Sequence, residues 1–113
     1  MFERLIEMIE SHATYGPALQ RAVENRLSLV LDYHTHTGAD SYCVSICMKM
    51  GEPVPFFEDA GSHLEELVHV REFGQEEKDC LRLIGQLGLE LRDHYQLFEP
   101  PELYLNGKPL QPD

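Results

Sequence analysis

Leu27-Ser28-Leu29-Val30-Leu31-Asp32-Tyr33-His34-Thr35-His36, then Thr37-Gly38-Ala39-Asp40, then Ser41-Tyr42-Cys43-Val44-Ser45-Ile46-Cys47-Met48, alternates between apolar and polar side chains more cleanly than any other part of the chain. Successive side chains of a strand point to opposite faces. Leu29, Leu31, Tyr33, Tyr42, Val44, Ile46 and Met48 therefore share one face, and Asp32, His34, His36, Ser41, Cys43, Ser45 and Cys47 share the other. The pattern predicts an antiparallel ribbon turning at Gly38, with an apolar side that needs helices over it. A two-residue Gly38-Ala39 loop would set His34 against Cys43, Asp32 against Ser45 and His36 against Ser41.

On the N-terminal side, Phe2, Leu5, Ile6, Ile9 and Ala13 recur at helical spacing, which predicts an amphipathic helix over residues 2–13. Gly16-Pro17 interrupts it, and a second short helix is expected from Pro17 to Glu24 with Ala18, Leu19, Ala22 and Val23 inward. On the C-terminal side, Gly51-Glu52-Pro53 reads as a turn and Val54-Pro55-Phe56-Phe57 as a short third strand. Pro55 would place that strand at an edge. Ser62-His63-Leu64-Glu65 has the form of a capping box and predicts a helix through Glu72, with Leu64, Leu67 and Val68 inward.

The longest helix is expected from about Glu76 to Tyr95, its stripe formed by Cys80, Leu81, Leu83, Ile84, Leu87, Gly88 and Leu91. Leu89 falls on the opposite side. Gly85 and Gly88 each lower helix propensity by about 1 kcal/mol relative to Ala, so close approach of another backbone is expected at both. Leu103 to Leu110 reads as an Asn106-Gly107 hairpin or a final edge strand. The whole is an α+β domain of order ααβββααβ, a small antiparallel sheet of three or four strands with helices on one face, and residues 1–113 form a single domain.

Composition narrows the function. With 20 acidic and 9 basic residues the formal net charge is −11, and residues 51–113 carry most of the excess. Such a field repels phosphate backbones and anionic membrane surfaces, so neither nucleic acid nor membrane is an expected partner. A protein partner, basic in character, is. No apolar run reaches the length of a spanning helix and Met1-Phe2-Glu3-Arg4 carries an acid where a secretory n-region carries bases, so a cytoplasmic address is expected. Three widely spaced cysteines agree with it. On one strand Cys43 and Cys47 would lie about 13 Å apart, beyond disulfide reach.

The polar side of the ribbon carries the chemistry. His34, His36 and Cys43 supply two imidazoles and a thiol to one patch, a donor set suited to zinc, although their spacing matches no finger or ribbon pattern. The same face offers nucleophiles but no strained elbow and no oxyanion donors, so no catalytic residue is assigned and an enzyme is not the expected reading.

Buried behind a partner, Asp32 and Cys47 would join a pairing surface, and a homodimer through the ribbon follows. Phe56, Phe57, Glu65, Glu66 and Leu89 complete the candidate interaction surface. In size, charge and element order the chain resembles small acidic α/β secretion chaperones, a likeness of shape that implies a chaperone-like role. The expected function is a small acidic protein-interaction module of adaptor, regulatory or chaperone-like kind, homodimeric and without a cofactor. The alternatives are a metal-binding sensor or enzyme built on the 27–50 hairpin, with zinc as the ion, and an inhibitor that mimics nucleic-acid charge.

Overall fold

The computed structural model describes residues 2–35, 42–50, 64–74 and 77–110. Two helices, α1 (Glu3–Ser11) and α2 (Tyr15–Glu24), precede β1 (Leu29–Thr35), β2 (Tyr42–Lys49) and β3 (Leu64–Gly74). A long helix, α3 (Glu77–Tyr95), then leads to β4 (Glu102–Leu105) and β5 (Lys108–Pro109). The strands form one mixed sheet in the order β3-β2-β1-β4-β5. The α+β class agrees with the expectation; the element order and strand count do not.

The central ribbon has the expected register. β1 and β2 are antiparallel, with Leu31 opposite Ile46, Asp32 opposite Ser45, Tyr33 opposite Val44 and His34 opposite Cys43. Both outer edges of this ribbon are occupied. β3 pairs antiparallel with β2, and β4 pairs parallel with β1. Edge-to-edge pairing of two copies through the ribbon is thereby closed off, because its backbone groups are already spent within the sheet.

The apolar face receives all three helices. Leu29, Leu31, Tyr33, Val44, Ile46 and Val68 form one cluster with Ile6 and Ile9 of α1, Leu19 and Ala22 of α2, and Ile84, Leu87 and Leu91 of α3. Gly88 lets α3 lie close to this layer: a Cβ there would stand 3.5 Å from Leu31 Cδ1 and 3.8 Å from Pro101 Cδ. Gly85 has no such neighbour within 4 Å. Leu81, expected in the stripe, is 39% exposed on its flank.

α1 and α2 are two helices, joined by a turn that His12 organises. Its Nδ1 accepts the N–H groups of Thr14 and Tyr15, each at 3.1 Å, and its ring stacks on Tyr15 at 4.0 Å. The side chain thus serves as a cap, satisfying donors that a helix start leaves open. A Cβ on Gly16 would collide with the carbonyl oxygen of Glu10, so the turn closes only with glycine at this position. α1 is tied to α3 at both ends: the Phe2 N–H donates to Glu90 Oε1 at 2.7 Å, and Glu10 Oε1 lies 2.7 Å from His94 Nε2.

The segment expected as a helix from Ser62 to Glu72 is strand β3 from Leu64 onward. A β-bulge explains the misreading. Val68 pairs with Ile46 but Glu66 pairs with Cys47, so Leu67 is one residue extra. The insertion turns both Leu67 and Val68 toward the helices, while Leu64, expected inward with them, packs on the opposite face beside Cys47, so apolar residues at helical spacing sit on an extended backbone. The third strand read at Val54–Phe57, with Phe56 and Phe57, lies outside the described residues, as does the Gly38 turn.

The C-terminal hairpin is as expected, with Asn106 at φ 49° and Gly107 at φ 82° forming its turn. It hooks onto β1: the Asn106 N–H donates to the Tyr33 carbonyl at 2.9 Å, and the Gly107 N–H to Asp32 Oδ1 at 2.9 Å. Asp32 thereby holds the turn that completes the parallel edge.

Candidate functional site

The face of the sheet opposite the helices carries the candidate chemistry. Alternation along β1 and β2 turns Asp32, His34, Cys43, Ser45 and Cys47 to this side, and β3 adds Glu66 and His69. His34, Cys43 and His69 stand on three adjacent strands, and one ligand atom from each lies within 4.8 Å of the others. The two imidazole rings are nearly parallel, tilted by 24° with centroids 5.6 Å apart. Cys43 is buried, and both histidines are partly open to water.

A carboxylate stands beside each ring. Asp32 Oδ2 is 3.9 Å from His34 Nδ1 while its other oxygen accepts from Gly107. Glu66 Oε2 is 3.5 Å from His69 Nδ1. Ser45, buried between them, donates to Glu66 Oε2 at 2.5 Å and lies 3.3 Å from His69 Nδ1. A serine that gives its proton to a carboxylate is not activated by the imidazole, and burial keeps a substrate from its oxygen. The Ser45–His69–Glu66 group thus works as a hydrogen-bonded brace for the ring.

Cys47, two residues along the strand, has a different character. Burial, followed by the negative charges of Asp32 and Glu66, pushes its thiol up to about 12. It remains protonated in neutral water and packs as an apolar group with Val30 and Tyr104, with Leu64 alongside. Lys49 and Glu102 pair on the same face at 3.5 Å.

Of the sequence-predicted metal set, His34 and Cys43 are brought together, while His36 lies outside the described residues. His69 was missed. The helical reading of Ser62–Glu72 scattered it away from the ribbon, and its signal was the strand-like run Val68-His69-Val70. Among the predicted interaction residues, Glu65 and Glu66 are exposed on β3 and Leu89 is 41% exposed on α3.

Two apolar surfaces were not anticipated in full. Leu81, Gly85 and Leu89 recur every four residues along one exposed flank of α3. At the ends of α2 and α3, a cleft of about 740 Å³ is lined by Arg26, Leu27, Leu29, Tyr95, Leu97 and Phe98, among others. Phe98 is 98% exposed at this cleft. Arg26 and Gln96 both have φ 55°, each following the last turn of its helix. The Leu27 N–H reaches the Ala22 carbonyl at 3.0 Å and the Leu97 N–H the Arg92 carbonyl at 2.9 Å, so both ends are Schellman closures with a non-glycine residue at the left-handed position.

The fold and site define a two-layer α+β domain, helices on one side of a mixed sheet and an imidazole–thiol cluster on the other. No protein-family model matches the chain, and no curated protein or solved structure matches it. No described helix is long and apolar enough to cross a membrane.

Proposed function

We propose that the chain is a small acidic protein-interaction module that pairs with a second copy of itself along the exposed flank of α3. The observation that carries this reading is the Leu81–Gly85–Leu89 row. Two leucines at 39% and 41% exposure flank a glycine with open space beyond it. Helix axes pack at 8–10 Å depending on the side chains between them, and a glycine at the crossing permits the short end of that range. A two-fold axis near Gly85 would set Leu81 of each copy against Leu89 of the other, burying four leucines at once. Arg82 and Arg92 stand among Glu90 and Asp93 on the same helix, so its exposed surface is mixed in charge although the chain carries −11.

The cleft beside Phe98 supports the wider class. An aromatic ring at full exposure beside Leu27 is the kind of anchor that interfaces bury, and the acidic chain around it favours an apolar segment with basic flanks.

Sedimentation across a concentration series tests the self-pairing. A dimer is expected in the micromolar range, and Leu89→Arg should leave a folded monomer. A wild-type chain that stays strictly monomeric at high micromolar concentration overturns it. For the cleft, Phe98→Ser should abolish capture of partners from the native host with the circular dichroism unchanged.

A further inference from the structure

We propose that His34, Cys43 and His69 form a zinc centre that joins β1, β2 and β3 on the face opposite the helices. This stands apart from the self-pairing of α3, which uses none of these residues. The donors come from a cross-strand pair, His34 opposite Cys43, and from His69, whose partner Ser45 lies two residues from Cys43 on β2. Their ligand atoms already lie within 4.8 Å. Zinc bonds of about 2.0–2.3 Å in tetrahedral geometry put ligand atoms about 3.5 Å apart, so the ion draws the three donors together by about 1 Å. Side-chain rotation supplies that movement without disturbing the strand register.

The surroundings suit a metal in three further respects. Each imidazole has a carboxylate near its Nδ1, Asp32 at 3.9 Å and Glu66 at 3.5 Å, close enough to turn and hold a ligating ring once an ion is bound. Both carboxylates are themselves anchored, Asp32 by the Gly107 N–H and Glu66 by the Ser45 hydroxyl. The side chains of His34 and His69 are 23% and 21% exposed, which gives an ion a path from water. Two neutral imidazoles with one thiolate select zinc over calcium or magnesium, which take oxygen ligands. On binding, the Cys43 thiol gives its proton to solvent, and the centre carries one net positive charge beside Asp32 and Glu66.

The test uses the full chain without a polyhistidine tag, stripped by chelator, with zinc titrated against a chromophoric competitor and cobalt(II) as spectroscopic stand-in. One ion per chain is expected, with a thiolate-to-cobalt charge-transfer band that vanishes in Cys43→Ser. His34→Ala and His69→Ala should each bind zinc about 100-fold more weakly, and His12→Ala, remote on the α1–α2 turn, should bind as wild type. Zinc in hundred-fold excess over its Kd should raise the melting temperature of the wild type by about 11 °C, and the same zinc concentration should raise that of His69→Ala by only about 2 °C. His69 is partly exposed on the outer strand, so its variant keeps the fold by circular dichroism; His69→Gln gives the same comparison at nearly constant volume. Sub-stoichiometric zinc, affinity undiminished by His69→Ala, or a cobalt spectrum without the thiolate band overturns the proposal.

Discussion

The two faces of one sheet differ in what holds them. On the helix side, Leu31, Tyr33, Val44 and Ile46 are buried against α1, α2 and α3, and their contribution is area removed from water. On the other side, His34, Ser45 and His69 stand beside two carboxylates, with the buried Cys43 thiol grouped with the two imidazoles. Non-directional burial tolerates any apolar side chain of suitable volume, whereas directed contacts require particular atoms. The first face therefore carries the larger apolar cluster, and the second combines a smaller one, Val30, Cys47 and Tyr104, with side chains able to do chemistry.

Truncation separates the two most sharply. Leu31→Ala, at a fully buried position against Gly88, should cost about 2–5 kcal/mol in urea unfolding. His34→Ala in the metal-free protein should cost less, about 1 kcal/mol, because its ring is partly exposed and the Asp32 carboxylate stands 3.9 Å away. Equal losses at the two positions would erase the distinction between the faces.

The same contrast accounts for what could be read in advance. A period of two in Leu29–Met48 identifies which residues share a face, and a turn expected near Gly38 from the sequence predicts the pairing of His34 with Cys43, so both were legible. β3 was not, because the bulge at Leu67 converts a strand alternation into helical spacing, and His69 was lost with it. The parallel placement of β4 beside β1 depends on how α3 crosses the sheet, which no local pattern encodes. The cleft draws on two segments far apart in the chain, 23–29 and 95–102, and exists only after they meet.

Alkaline pH probes the apolar cluster around Cys47 on the polar face. A free thiol titrates near 9.0, while Cys47 in the fold titrates at about 12. Below pH 9 both states hold the proton and pH has no effect through this group. Between 9 and 12 the unfolded chain releases it and the folded chain retains it, so stability falls with rising pH by up to about 1 kcal/mol per unit. Burial is the leading cause, with Asp32 and Glu66 adding to it. Melting temperatures between pH 8 and 11 should decline more steeply for the wild type than for Cys47→Ala. Parallel slopes would mean that the thiol is far better solvated than its packing beside Val30 and Tyr104 implies.

Left-handed residues at the helix ends offer a smaller gain. Gln96 has φ 55° with its side chain exposed at the end of α3, and glycine adopts that conformation without a Cβ clash. Gln96→Gly should stabilise the chain by up to about 1 kcal/mol, read as a rise in urea midpoint at constant slope. A loss would indicate that the Gln96 side chain contributes to the cleft more than its backbone costs.

Gly85 gives the finest comparison, because its expected effect changes sign with the state of the α3 flank. In an isolated chain a Cβ at Gly85 meets nothing within 4 Å, and replacing a mid-helix glycine with alanine contributes about 1 kcal/mol of helix propensity. Gly85→Ala should then raise the melting temperature at low protein concentration, where monomers dominate. If two copies approach across this glycine, the added methyl separates the helices and weakens the Leu81–Leu89 contacts, so the same variant should dissociate at lower concentration than the wild type. Stabilisation at every concentration with no change in association would place the self-pairing surface elsewhere. A gain in the monomer joined to a loss in the dimer is the signature of a helix face kept bare for its own copy.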